Sequence, residues 1–185
     1  MSGIRREVRG LLKLAGPVIG VQLGMMAMGT VDVMMLGRVD EVALAAGALG
    51  NSIGFGILMF PFGVLMALDP LVSQAFGARD NERIRLHLQR GLLLAVVLFV
   101  PAALLMWNTE GALRLLSQKE EVLGPASAYI RALVPGGLAF LLYVVLRQTL
   151  QAMTVVKPAL LVIVLANGVN IVANYAVIFG HFGFP

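Results

Sequence analysis

Cysteine is absent from the 185 residues, and charge is scarce, at 13% of positions. The first absence excludes disulfides, thiolate metal ligands and thiol nucleophiles, although it leaves the compartment open. The second excludes an ordinary soluble surface, because a soluble domain is about a quarter charged. Strict alternation of apolar and polar residues is missing too, as "LLLAVVLFVPAALLMW" shows, which argues against a membrane β-barrel. "GARD" lacks the phosphate-loop pattern, so nucleotide binding has no support in the sequence.

What remains is oil. Hydrophobic residues make up 59% of the chain and the mean hydropathy is +0.89. They gather into five blocks near 11–36, 43–76, 86–107, 124–150 and 158–180, each long enough for the roughly 20 residues that a helical crossing needs. The expected fold class is all-α, a polytopic helical bundle whose first partner is the lipid bilayer. The basic start and apolar continuation of "MSGIRREVRGLLKLAGPVIG" mimic a signal peptide. The apolar run continues too far for one and carries an acid, so it is expected to be an uncleaved first span.

Fourteen Lys and Arg against ten Asp and Glu give a charge of +4 and a pI near 10. Their placement makes a nucleic-acid partner unnecessary. With the N-terminus inside, ten basic residues fall on the inner side and four, Arg38, Arg114, Lys119 and Arg131, on the outer. That is the asymmetry of the positive-inside rule. The arginines within "SQAFGARDNERIR" suit anionic lipid on the inner face. Gly77 is the expected helix stop there, with Asp80 or Asn81 capping the next helix. Outside, "TEGALRLLSQKEEV" is expected to lie along the interface for about three turns. Trp107 and "FGHFGF", with His181 as an interface residue, fit an aromatic belt.

Gly16, Gly20 and Gly24 in the first span, with Gly50 and Gly54 in the second, form small-residue ladders that let helices approach closely. Pro17, Pro61, Pro70, Pro101 and Pro135 fall in or near spans and are expected to bend them.

The polar exceptions carry the chemistry. A charge at a helix centre costs roughly 2.5–3.5 kcal/mol on insertion scales and should face a cavity or a partner. Asp32 lies about 7–8 Å inside the outer end of the first span, on the face expected to hold Gln22 and Gly29. Asn167, Asn170 and Asn174 share a face of the fifth span, with Asn174 at nearly the depth of Asp32. A carboxylate facing two amides suits a hard monovalent cation, which takes oxygen ligands, and equally a proton. The competing reading is a plain tie between helices, and such contacts average about 0.6 kcal/mol. Asp69, near the inner end of the second span, is an anchor or an inner gate, with Ser73 or Arg147 as partner. Glu120 or Glu121 is the expected partner of Arg131. The ten methionines read as flexible core filling. An intramembrane enzyme built on Asp32 and Asp69 is disfavoured, because the two acids sit at opposite ends of their spans.

"LLKLAGPV", "VDVMMLGRVDEVALAA", "GVLMALDPLVSQAFGARD", "LRQTLQAMTVVKPALL" and "NGVNIVANYAVIFGHFG" occur in this order. Together they resemble the multidrug and toxic compound extrusion transporters, most closely the bacterial sodium-linked branch. The resemblance implies an antiporter of the bacterial inner membrane, not an enzyme. It would let sodium or protons in, expel small organic, often cationic drugs, and need no cofactor beyond the coupling ion. It implies a first-lobe cation site at Asp32, Asn170 and Asn174, and a bending proline at Pro17. Some relatives carry a tyrosine one turn before the acid and an aspartate at the second amide position. Met28 and Asn174 stand there in this chain, so the coupling ion stays open. The chain stops after "GHFGFP", where the family continues, so it is expected to be a fragment, five of the six helices of an N-terminal lobe. Its missing partner would be the C-terminal lobe. Alternatives are a flippase for a lipid-linked precursor, which would want a more cationic cavity, and a structural membrane subunit.

Overall fold

The computed structural model describes residues 2–37, 41–115 and 120–178; His181 and the "FGHFGF" belt lie outside them. Among the described residues every regular element is a helix. They are α1 (Ser2–Leu36), α2 (Glu41–Leu65), α3 (Leu68–Gly77), α4 (Asn81–Trp107), α5 (Thr109–Leu115), α6 (Glu120–Ala152) and α7 (Lys157–Ile178). Five segments are long and apolar enough to cross a membrane: Ala15–Met35, Leu44–Gly77, Asn81–Trp107, Glu121–Ala152 and Lys157–Ala176. Large apolar side chains such as Leu23, Phe60 (72% exposed), Leu105 and Val169 point outward, as lipid-facing positions must.

The chain divides into two compact units, Met1–Arg38 with Thr154–Pro185, and Val39–Met153. In the larger unit α2, α3, α4 and α6 close around Leu58, Leu65, Leu68, Met106, Leu141 and Val145. Phe140 adds ring contacts to Phe55 and Phe62, with centroids 6.5 Å and 6.2 Å away. Buried hydroxyls solve the problem that lipid offers them no partner. Thr149 donates to the Val145 carbonyl at 2.8 Å and Ser127 to that of Gly124 at 2.9 Å.

The second span is two helices, not one. Pro70 has no N–H to give the Met66 carbonyl, and its ring crowds that carbonyl, so α2 cannot run on into α3. The chain tightens instead, with Asp69 N–H donating to Met66 at 3.2 Å. Asp69 thereby enters the first turn of α3, where a negative charge suits the helix dipole. Ser73, the expected partner of Asp69 one turn later, is exposed. Pro17, Pro61, Pro101, Pro125 and Pro135 are all housed within continuous helices.

α3 does stop at Gly77, but the residue in left-handed conformation is Arg79, at φ 57°. Asp80 N–H reaches back to Ala75 and Arg79 N–H to Phe76, both at 3.0 Å, closing the helix end. Asp80 then caps α4 by accepting from Arg83 N–H at 3.0 Å.

The segment after α4 is anchored by one buried leucine and one acid. Helix α5 is described over Thr109–Leu115, with Leu113 fully buried against Ala46, Leu123 and Ala126; positions 116–119 of the expected interfacial segment lie outside the described residues. Arg131 reaches Glu110 at 3.5 Å and the Trp107 carbonyl at 3.2 Å, while the side chain of Glu120, one of its expected partners, lies outside the described residues. Glu110 already pairs with Arg114 one turn on, so its carboxylate gathers both guanidinium groups. Trp107 is 58% exposed, as an interface residue should be.

The glycine ladder of α2 is a contact surface. A Cβ on Gly50 would sit 2.7 Å from a Tyr129 ring carbon and 3.3 Å from the Ala126 carbonyl oxygen on α6. Gly50→Ala is therefore expected to lower the unfolding free energy in bicelles. Overpacking of about 1–3 kcal/mol outweighs the gain in helix propensity of up to about 1 kcal/mol. Unchanged or raised stability would contradict this close approach.

Candidate cation site

The smaller unit consists of α1 and α7, which run parallel. Gly20 meets Leu160, Gly24 meets Ile163 and Asn167, and Asp32 meets Asn170 and Asn174, so contacts climb both helices in the same direction. Val21, Ala159 and Ile163 form the buried apolar part of this seam, flanked by Met25 and Leu160. Only glycine allows it. A Cβ on Gly20 would come within 2.9 Å of Leu160 Cδ1, and one on Gly24 within 2.9 Å of Ile163 Cγ1. Gly16, the first rung of the expected ladder, has nothing within 4 Å of that position.

Above the apolar seam lies the polar cluster. Asp32 Oδ1 accepts from Asn170 Nδ2 at 2.9 Å and from Asn174 Nδ2 at 2.5 Å. Asn174 Nδ2 also lies 3.5 Å from Asn170 Oδ1, linking the two amides. All three side chains are half-buried. An ionised carboxylate can only accept, so the amides present nitrogen to it. Rotating either amide by half a turn presents oxygen instead. The cluster therefore offers carboxylate and amide oxygens to a cation with one formal negative charge, which a single monovalent ion or proton balances. Among the described residues no group of three or more His, Cys, Asp or Glu gathers for a multivalent metal.

The other residues expected at this site are placed differently. Asn167 does not touch Asp32; its Nδ2 donates to the Gly24 carbonyl of α1 at 3.0 Å and to its own Ile163 carbonyl at 2.8 Å. Gln22 is exposed and stands apart from the cluster. The reason is the helical period: ten residues of 100° each leave Gln22 about 80° away from Asp32 around the axis. Gly29 keeps open space beside it, and Thr30 turns its hydroxyl onto the Met26 carbonyl at 3.0 Å. Pro17 lies within α1 on the N-terminal side of the Gly20–Gly24 seam, away from the cluster. Sequence reasoning missed that Asn167 is bonded to backbone, although a glycine ladder facing an amide was the available signal.

Comparison with known proteins agrees with this architecture. The chain is 34% identical over 183 residues to the probable multidrug resistance protein NorM of Mesorhizobium japonicum, covering 98% of this chain and 39% of that protein. The chain thus spans about two fifths of the length of this curated relative. Two solved structures superpose with TM-scores of 0.79 at 22% identity, covering 94% of this chain and 39% of theirs. One is an outward-facing conformation of a multidrug resistance MATE family transporter of the MOP superfamily. The other is a MOP superfamily transporter from Pyrococcus furiosus, described as having a binding pocket of reverse polarity that suggests a different function. At that identity the two structures speak for the fold. The model of the MatE family matches residues 17–176, and the chain belongs to that family of multi-pass membrane transporters.

Proposed function

We propose that these residues supply five helices of the N-terminal lobe of a sodium-coupled multidrug exporter in the bacterial inner membrane. In this reading the N-terminus is cytoplasmic, a C-terminal lobe is the partner, and small organic, often cationic drugs are the cargo. The role is transport rather than catalysis. The observation that carries the reading is the convergence of Asn170 and Asn174 on one oxygen of Asp32 within a membrane-spanning helix pair. Sodium is favoured over a proton because the three side chains of the cluster include no second ionisable group to pass a proton on. Met28 and Asn174 occupy positions where a hydroxyl and a second acid would be needed for a relay.

Coupling follows from differential affinity. A sodium ion that binds one arrangement of the lobes more tightly than the other shifts the equilibrium by that difference and no more. Drug binding that favours the opposite arrangement is then linked to sodium release.

The test uses a family-length transporter carrying these 185 residues, reconstituted in liposomes with a fluorescent organic cation. An imposed sodium gradient is expected to drive movement of the dye, and collapsing that gradient to stop it. Movement that follows a pH gradient alone would assign the site to protons. Movement that ignores both gradients would reject the coupling role.

A further inference from the structure

The α1–α7 seam has two levels of different chemistry. The upper level is the cluster at Asp32. The lower level is apolar and close, with glycine at 20 and 24 and one polar feature, Asn167. Both hydrogens of that amide nitrogen are used, one on its own helix and one on the Gly24 carbonyl of α1.

We propose that Asn167 is a positioning residue for the cation site, fixing the register of α7 against α1 and thereby the affinity and ion preference of the Asp32 cluster. The inference rests on the sodium reading above. Apolar side chains in lipid resist sliding only through shape, because neighbouring lipid tails are as oily as they are. A directed bond to one named carbonyl resists sliding by geometry. A slip of one residue moves a helix by about 1.5 Å along its axis, far more than the roughly 0.2 Å tolerance of a metal–ligand distance. The bond at Gly24 sits eight residues below Asp32, about 12 Å along α1, close enough for the intervening turns to carry its register upward. Pro17 lies beyond this staple, so a bend there leaves the partners of Asp32 in place.

Two variants test it, Asn167→Leu and Asn167→Thr. Leucine fills nearly the same space without a donor. The threonine hydroxyl reaches the Ile163 carbonyl of its own helix but not Gly24, so it keeps a polar group and loses only the staple. Sodium binding is measured with radioactive sodium on the 185-residue chain in lipid nanodiscs, with lithium and potassium as competitors. Both variants are expected to bind sodium 10- to 100-fold more weakly, the usual effect of losing a group that orients metal ligands. The preference for sodium over lithium and potassium should narrow as well, which a purely structural role would not produce. A folded variant with wild-type sodium affinity, or with an unchanged ratio of affinities for sodium, lithium and potassium, would overturn the proposal. If the leucine variant does not fold, the threonine variant decides. Wild-type protein that binds no sodium would reject the sodium reading and this inference together, whereas wild-type binding with unaffected variants rejects the inference alone.

Discussion

Replacing Asp32 by asparagine is expected to reduce sodium-driven drug efflux by at least two orders of magnitude in a family-length transporter carrying these residues. The substitution keeps the shape of the side chain and its place beside Asn170 and Asn174. It removes the only formal charge of the cluster. A unit charge pair at about 4 Å and an effective dielectric of 20 is worth about 4 kcal/mol, close to three decades in an equilibrium constant. Amide oxygens remain, but three neutral groups do not compensate for the desolvation of a sodium ion. Drug binding without a gradient should survive, because the cargo need not touch Asp32. Initial rates of dye efflux under a sodium gradient, beside equilibrium dye binding, make the measurement. Efflux within a few-fold of the parent would remove Asp32 from the coupling step.

The second large effect concerns stability. Asn170→Leu with Asn174→Leu leaves the Asp32 carboxylate in the span without either of its donors. Each hydrogen bond to a charged group is worth about 1.5–3 kcal/mol, whereas an ordinary interhelical polar contact is worth only about 0.6 kcal/mol. The double variant is therefore expected to lose about 3 kcal/mol or more in bicelles. Adding Asp32→Leu should return most of that loss, since the orphaned charge goes with it. That rescue separates a compensated charge from a generic tie. Additive losses across all three substitutions would mean that Asp32 finds its compensation elsewhere.

Much of this was legible in the sequence because lipid imposes strong rules. Five long apolar runs became five candidate spans, and polar residues inside them had to find partners. Depth and helical face set Asp32 against the asparagine stripe of the fifth span, the family resemblance singles out Asn170 and Asn174 within it, and the structure joins these three at hydrogen-bond distance. What the sequence hid were choices between equivalent partners. Nothing local says that Arg131 should take Glu110, since several acids lie near its end of the span. The break between α2 and α3 was obscured by hydropathy, which runs unbroken through Leu65–Leu68. It is set by what Pro70 does to the carbonyl of Met66, four residues earlier. Gln22 was misplaced by a drift of the helical period over ten residues, while Asn167 was on the right helix and face but one level too low to meet the acid. Its bond to the Gly24 backbone is signalled only by the glycine ladder that faces it.

The most direct measurement is equilibrium binding of radioactive sodium to the purified chain in nanodiscs, wild type beside Asp32→Asn. One saturable ion per wild-type chain and none in the variant is the expected result. Equal uptake by both would show that sodium binds without this carboxylate, and the cation site at Asp32 would have to be abandoned.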